Sequence, residues 1–338
     1  MGTQSPITWF GGKSRLAAQI IRYFPNHKIY TEVFGGSAAV LLAKDPAPVE
    51  VYNDLNGDVV NFFRVLREPR SFNRLQRSLE HTLCARSEFE LAQEPTDDPV
   101  EAARRFMVLQ RQSFAGKGKE WGFSVAKAAA GIASSVRRWQ AGVERISAVH
   151  MRLRSVQIEN DDWWTVMGRY DTPDTLHFLD PPYVPSLRVN GGYTHELSEH
   201  DHKILVSRIR TVAGMVILCG YNHQFIHGPL EGTGWTRIDN QVITHTSDRR
   251  AGRFESLWLS PSLVSRLENG VVCLSPRDRM RQGAYQLHRM RVRSTTRRIQ
   301  SAIERLRRSG KKPSMAGVAR LTSLSPEHLS RKYRHLFS

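Results

Sequence analysis

The chain has 338 residues and a formal net charge of +17, enough length for one large domain with an appendage or for two domains. Its three cysteines, Cys84, Cys219 and Cys273, have no paired spacing, which argues against a disulfide framework or a zinc site and fits a reducing cytosol. The amino terminus lacks a charged-then-apolar signal, and no apolar run approaches membrane-spanning length. We therefore expect a soluble, cytoplasmic protein that uses no metal.

The first 66 residues have the texture of an α/β unit. The predicted elements are, in order, a glycine turn at 9–14, a helix from 16, a strand at 29–34, a helix at 38–42, a strand at 49–52 and a helix at 59–66. The first strand enters the glycine loop Phe34-Gly35-Gly36-Ser37, and the second ends at Asp54. This order is typical of nucleotide-binding units, in which glycines admit the ligand and the acid binds a ribose hydroxyl. The G-x-G-x-x-G fingerprint is absent, which favours a nucleoside ligand without a pyrophosphate.

Residues 67–154 are more polar and predominantly helical in pattern. Within them, the segment Phe114–Gly122 carries Lys117 and Lys119 among aromatic residues and glycines. Cations interleaved with rings suit a loop that contacts nucleic acid, although a loop with two lysines is as often merely solvated.

The α/β pattern resumes with a strand at 156–158, followed by Asp161 and Asp162 directly before Trp163. A buried strand at 176–179 then runs into Asp180-Pro181-Pro182-Tyr183. The prolines end the strand and stiffen the backbone at its carboxyl end, which is where open α/β sheets bind ligands. A charged acceptor, an outward carbonyl and a flat ring at this place suit an amino-bearing planar group. An ordinary strand followed by a turn is the simpler alternative.

After the tetrapeptide, the polar loop 185–199 has the length and glycines of a mobile lid or a base-flipping contact. The remaining predicted elements of this half are a helix at 198–211, a strand at 215–219 and two late, antiparallel strands at 235–244 and 254–259.

Most of the excess charge lies at the carboxyl end of the chain. Residues 276–338 hold 17 Lys and Arg against 3 Asp and Glu, which is typical of a segment that contacts phosphate with salt-dependent affinity. An amphipathic helix with Ile299, Ala302, Ile303 and Leu306 is followed by two short helical patterns capped by Ser314 and Ser325.

This arrangement resembles a helix-turn-helix, with residues 326–336 as the recognition helix. Arg331, Lys332 and Arg334 would then be available to DNA. A basic helical hairpin that only packs, or a solvated basic tail, remains the alternative.

The separated motifs together resemble the Dam-type family of DNA adenine methyltransferases, in the forms common in bacteriophages and prophages. The similarity runs from about Trp9 to Leu259, and the motifs occur in the order of the family. The resemblance implies that S-adenosylmethionine is held by the segment around Trp9, Gly12 and Lys13, by Phe34, Gly35, Gly36 and Ser37, and by Asp54. The acid that contacts the cofactor adenine is either Asp161 or Asp162, and its position before Trp163 favours Asp162.

By the same resemblance, Asp180 and the carbonyl of Pro181 accept the two hydrogens of the target amine, Pro182 completes the rigid turn, and Tyr183 stacks on the base. The exocyclic amine of adenine is a poor nucleophile, so orientation and electrostatic stabilisation matter more than a strong base. The amine is inaccessible inside a duplex, so the base must be flipped out.

We therefore predict an S-adenosylmethionine-dependent enzyme that methylates N6 of adenine in double-stranded DNA, acting as a monomer or dimer. Its predicted fold is α/β, a Rossmann-like methyltransferase sheet formed by residues 1–66 and 155–262. A helical target-recognition insertion at 67–154 and a basic, helix-turn-helix-like extension at 276–338 complete it. The alternatives are a cytosine-N4 methyltransferase and a catalytically silent DNA-binding regulator on the same fold.

Overall fold

The computed structural model describes residues 2–125, 131–187, 193–242, 253–269, 299–309, 313–322, 324–325 and 329. The chain divides into two compact units, Met1–Cys273 and Leu274–Ser338. Within these described ranges, none of the helices combines the length and apolar character that a bilayer crossing requires.

The first unit is built on a sheet that has seven strands in its described residues, in the order β3-β2-β1-β4-β5-β7-β6. The strands are β1 (Ile29–Glu32), β2 (Val49–Asn53), β3 (Val156–Glu159), β4 (Thr175–Leu179), β5 (Met215–Gly220), β6 (Thr236–Val242) and β7 (Arg253–Leu259). Strands β1 to β5 are parallel, whereas β7 runs antiparallel to both β5 and β6. The Rossmann-like sheet and the antiparallel late strands predicted from the sequence are confirmed.

The two strands at the centre of the carboxyl-terminal half, β4 and β5, are buried along their whole length. Strands that are buried along their whole length are typical of a parallel sheet that is covered on both faces. Leu179 pairs with Leu218, so Asp180 leaves the sheet at the same edge where β1 and β2 end. The sheet register therefore assembles the motifs at one edge.

The helices surround this sheet and continue into the region between β2 and β3. They are α1 (Ala17–Ile20), α2 (Ala39–Ala43), α3 (Gly57–Arg67), α4 (Pro69–His81), α5 (Arg86–Leu91), α6 (Pro99–Gln112), α7 (Ser134–Val143), α8 (Ile146–Leu153), α9 (Trp163–Tyr170), α10 (Glu199–Arg208), α11 (Gln224–His227) and α12 (Pro261–Glu268). Ser198 begins α10 with a capping box that includes Asp201.

The helices between β2 and β3 share one hydrophobic core with the sheet. The Phe106 ring on α6 lies 5.6 Å from that of Phe62 on α3 and 6.2 Å from that of Trp9. These helices are therefore packed directly onto the α/β unit, and α6 reaches the amino-terminal segment.

Three local details differ from the sequence prediction. Strand β1 ends at Glu32, before Phe34. The first helix is a single turn followed by a 3-10 segment, Ile21–Tyr23. Helix α2 begins at Ala39, because Ala38 has a left-handed backbone with a φ of 53°. The glycine loop is thus longer than the pattern suggests.

The second unit contains α13 (residues 299–308) and α14 (Met315–Thr322) in its described part. Ile299, Ala302 and Ile303 are buried together with Val318 and Leu329, which confirms the amphipathic spacing. Ser314 caps α14, since its Oγ accepts a hydrogen bond from Gly317 N at 3.1 Å. Apart from Leu329, the predicted recognition helix 326–336 lies outside the described residues.

Candidate active site

A cavity of about 420 Å³ opens at the carboxyl ends of β1, β2 and β4. Every residue predicted to bind a cofactor lines it, together with two members of the tetrapeptide: Trp9, Gly12, Lys13, Phe34, Gly35, Gly36, Ser37, Asp54, Asp161, Asp162, Asp180 and Pro182. Motifs separated by more than 160 residues thus meet in one concave site, whose volume is in the range of small-molecule sites.

The glycine loop after β1 is held between two aromatic side chains. A Cβ atom on Gly35 would lie 2.2 Å from the Tyr52 ring, and one on Gly36 would lie 2.5 Å from Trp9 Nε1. Gly36 also has a φ of +45°, which favours glycine. The Tyr52 hydroxyl donates a hydrogen bond of 2.7 Å to the Gly36 carbonyl oxygen. The loop therefore lies close to its neighbours and is fixed along one wall of the cavity.

Asp54, directly after β2, stabilises the glycine loop by a hydrogen bond. One of its carboxylate oxygens accepts a hydrogen bond from Gly36 N at 2.7 Å, and the other accepts one from Asn56 N at 2.9 Å. Helix α3 is capped by Asn56 and not by Asp54. Burial raises the pKa of Asp54, while the hydrogen bonds from the two amides oppose this change.

Asp161 and Asp162 occupy the opposite wall of the cavity and have different partners. Asp162 caps α9, accepting from Trp164 N at 2.9 Å, whereas Asp161 forms an ion pair of 2.7 Å with Arg169. The Phe34 and Trp163 rings stack beside them, with centroids 6.0 Å apart. The preference for Asp162 over Asp161 stays a prediction.

At the end of β4, Lys13 holds the carboxylate of Asp180. Its Nζ lies 2.6 Å from each carboxylate oxygen and donates a hydrogen bond to Oδ2. Oδ1 is buried and lies in ion-pair contact with Lys13. Burial raises the pKa of Asp180 to about 6, against the opposing charge of Lys13. Burial lowers the pKa of Lys13, but the charges of Asp180 and Glu255 outweigh it and raise the pKa above its usual value.

Tyr183 is buried, and both its hydroxyl and its ring contact neighbouring side chains. The hydroxyl donates a hydrogen bond to Glu255 Oε1, and Lys13 Nζ lies 4.8 Å from the ring centroid. The Tyr221 ring packs edge-on against it with centroids 4.7 Å apart. Burial, with the charges of Asp180 and Glu255, raises the pKa of Tyr183 well above its ordinary value. The phenol is therefore neutral at physiological pH.

Glu32 adds a buried carboxyl group to the lining of the cavity. It accepts hydrogen bonds of 2.8 Å from the Tyr30 hydroxyl and from Leu41 N. Burial nevertheless raises its pKa to about 8.

The described part of the predicted lid covers the cavity mouth. The segment 193–197 lines the cavity, and the Tyr193 ring lies 5.2 Å from that of Phe10 in an edge-on contact. A Cβ atom on Gly11 would lie 2.2 Å from the Tyr193 hydroxyl. The glycines Gly191 and Gly192 of the predicted lid lie outside the described residues.

Lys117 and Lys119, two of the predicted DNA contacts, do not line this cavity. Lys117 and Lys119 are exposed on the loop that follows α6, beside the exposed rings of Phe114 and Phe123. Arg331, Lys332 and Arg334 lie outside the described residues. The DNA-binding roles of all five cations stay predictions.

Sequence reasoning missed Glu255, Glu32 and Tyr193. Glu255 has the clearest signal, because it is a charged residue inside the apolar run of β7. Glu32 is similarly an acid at the end of a buried strand. Neither position belongs to a short motif, so only their strand context could have indicated them.

The sheet order, the glycine loop after β1, the acid after β2 and the tetrapeptide after β4 define a Rossmann-like methyltransferase fold. The family model of the D12 class N6 adenine-specific DNA methyltransferases matches residues 9–216, and the chain belongs to this family.

The chain is also similar to a curated protein of Escherichia phage P1 described as a DNA N-6-adenine-methyltransferase. The two are 31% identical over 121 residues, which cover 33% of this chain and 16% of the phage protein. The matched segment is thus a small part of that relative's length.

Proposed function

We propose that the protein transfers a methyl group from S-adenosylmethionine to N6 of an adenine that is flipped out of double-stranded DNA. The observation that carries the proposal is the Asp180 carboxylate, which lines the cavity at the end of β4 beside Lys13. A carboxylate accepts several hydrogen bonds, so it can take an amine hydrogen from a ligand while it is paired with Lys13. Membership of the adenine-specific family supports adenine as that ligand.

The donor set of the cavity fits S-adenosylmethionine, which when bound supplies a methyl group on a cationic sulfonium. Asp54 and Asp161 offer carboxylates, the Phe34 and Trp163 rings offer a flat apolar wall, and the glycine loop offers backbone close to the ligand. Lys13 is already paired with carboxylates, which disfavours a ligand that needs a cation for a phosphate. We assign the ribose to Asp54 and the cofactor adenine to the wall formed by Asp161, Asp162 and Trp163.

The target amine would lie against Asp180 and Pro181. A carboxylate oxygen of Asp180 would accept one amine hydrogen, the Pro181 carbonyl oxygen would accept the other, and the nitrogen lone pair would then point at the methyl group. The carboxylate also stabilises the positive charge that develops on the amine as its bond to the methyl group forms, and the methylated nitrogen loses that charge by releasing one of its two protons. Tyr183, held by Glu255 and Lys13, would contact the base with the ring surface that these groups leave open.

Replacing Asp180 tests this assignment. Asp180→Ala should abolish methyl transfer to unmethylated DNA while the calorimetric affinity for S-adenosylmethionine stays within a few-fold of wild type. Asp180→Asn keeps an acceptor oxygen without the charge, so it should retain more activity than the alanine variant. Asp174→Ala, which removes a carboxylate before β4 and away from the cavity, serves as the control with normal activity.

The product nucleosides identify the base. Enzymatic digestion of the methylated DNA should yield N6-methyl-2′-deoxyadenosine, and N4-methyl-2′-deoxycytidine would refute the adenine assignment. Normal methyl transfer by Asp180→Ala would refute the role of the tetrapeptide.

A further inference from the structure

Glu255 is the one acid that β7 brings to the tetrapeptide among the described residues. It is 7% exposed, and its Oε1 accepts the Tyr183 hydroxyl hydrogen while lying 3.3 Å from Lys13 Nζ. Strand β7 pairs with β5 so that Ser256 lies opposite Gly220. Glu255 is thereby placed at the same sheet edge as Asp180.

The positive charge of Lys13 opposes the electrostatic role proposed for Asp180. A carboxylate stabilises a developing cation by its negative charge, yet the Lys13 ammonium lies 2.6 Å from both oxygens of Asp180. Taken alone, the two form a neutral pair that would contribute little field at the substrate amine.

Titratable side chains face Asp180 from the surrounding elements. Among them, Glu255 is the one that supplies the negative charge that offsets Lys13. They are Lys13 from the amino-terminal segment, Glu32 from β1, Cys219 from β5, Tyr183 and Glu255. Burial raises the pKa of Glu32, of Cys219 and of Tyr183, which disfavours the charged form of each. Glu255 therefore adds a second carboxylate beside the Lys13–Asp180 pair.

We propose that Glu255 is a positioning residue for methyl transfer: it anchors Lys13 and Tyr183 and gives the site the net negative charge that Lys13 would otherwise cancel. With Lys13 shared between two carboxylates, Asp180 meets the amine as part of an anionic group. Tyr183 is fixed by the same carboxylate oxygen, so the ring and the ammonium keep one relative position. This inference rests on the proposed methyl-transfer function.

Three variants separate this role from a structural one. Glu255→Gln keeps an acceptor for Tyr183 and removes the charge, whereas Glu255→Asp keeps the charge. Asp239→Asn removes a carboxylate from the same β6–β7 hairpin, where Asp239 lies opposite Ser256 and bonds its hydroxyl at 2.6 Å. Each is measured by single-turnover transfer of labelled methyl groups to unmethylated DNA as a function of pH, with calorimetric cofactor affinity and thermal unfolding alongside.

We expect Glu255→Gln to lower the plateau rate constant roughly tenfold or more with cofactor affinity within a few-fold of wild type. The acid limb of the pH–rate profile of Glu255→Gln should move to lower pH, because the negative charge of Glu255 raises the pKa of Asp180 in the wild-type protein. Glu255→Asp should restore most of the rate, and Asp239→Asn should match wild type in both rate and pH profile.

An unchanged rate and acid limb in Glu255→Gln would overturn the proposal, as would equal losses in Glu255→Gln and Glu255→Asp. Loss of the folded state in both variants would assign Glu255 to stability and overturn it as well. Failure of the wild-type protein to methylate any DNA would instead refute the proposed function, so the two outcomes are distinguishable.

Discussion

Replacing Lys13 should shift the pKa of Asp180 in the direction opposite to that expected for Glu255→Gln. The structure allows the size of this shift to be calculated. Burial raises the pKa of Asp180 to about 6, whereas the charge of Lys13 lowers it. An opposite charge within about 4–6 Å lowers the pKa of a carboxyl group by about one to three units, and Lys13 Nζ lies 2.6 Å from both oxygens of Asp180. Lys13→Gln should therefore raise the pKa of Asp180 by roughly one to three units.

The sign of the activity change follows from which form of Asp180 is useful. Only the carboxylate carries the charge that stabilises the amine cation, so methyl transfer falls as the pH drops through the pKa of Asp180. At pH 7 about nine-tenths of Asp180 is ionised with a pKa of about 6, and about one-tenth would be ionised with a pKa of about 8. Lys13→Gln should thus be slow at neutral pH and recover at alkaline pH.

The assay is single-turnover methyl transfer from about pH 5 to about pH 9 at constant ionic strength. Lys28→Gln is the matched control, since Lys28 is exposed and pairs with Asp174 away from the cavity. Its profile should match wild type. If the acid limb of Lys13→Gln stayed near that of wild type or moved to lower pH, the coupling of Lys13 to Asp180 would be refuted.

Two further predictions concern stability and DNA affinity. Glu50 is fully buried between Lys44 and Arg152, so Glu50→Gln should lower the free energy of unfolding in urea by roughly 3–5 kcal/mol. The exposed Glu231→Gln should cost less than about 1 kcal/mol, and equal losses would contradict this ranking. Deleting residues 276–338 should weaken DNA binding and flatten its dependence on salt concentration. If the dependence of DNA affinity on salt concentration, measured by fluorescence titration, were unchanged by the deletion, the basic extension would not contribute to the DNA interface.

The sequence was sufficient for those parts of the site that lie in short, local motifs. The loop Gly35-Gly36 comes shortly after β1, the tetrapeptide from Asp180 comes directly after β4, and parallel strands deliver their carboxyl ends to one edge. Local order along the chain therefore determined both the fold class and the cavity that these motifs share.

The rest of the site depends on pairings between distant segments. Lys13 and Asp180 are separated by 167 positions, and the sequence suggested a cofactor contact for Lys13 rather than an ion pair with the tetrapeptide. Glu255 reaches the site because β7 inserts antiparallel between β5 and β6. Ala38 adopts a left-handed backbone that no residue preference indicates, since alanine ordinarily avoids this region.

Trp9 lies between two regions that carry different tasks in the proposed function. Its ring packs on Phe106 of α6 and lies against the backbone of Gly36 in the glycine loop. If the proposed DNA binding moved α6, that movement would have to be accommodated at the glycine loop. By thermodynamic linkage, cofactor occupancy would then change the affinity for DNA by the same factor that DNA changes the affinity for cofactor. Helices transplanted into residues 67–154 from a relative would preserve that coupling only if they kept the contact with Trp9.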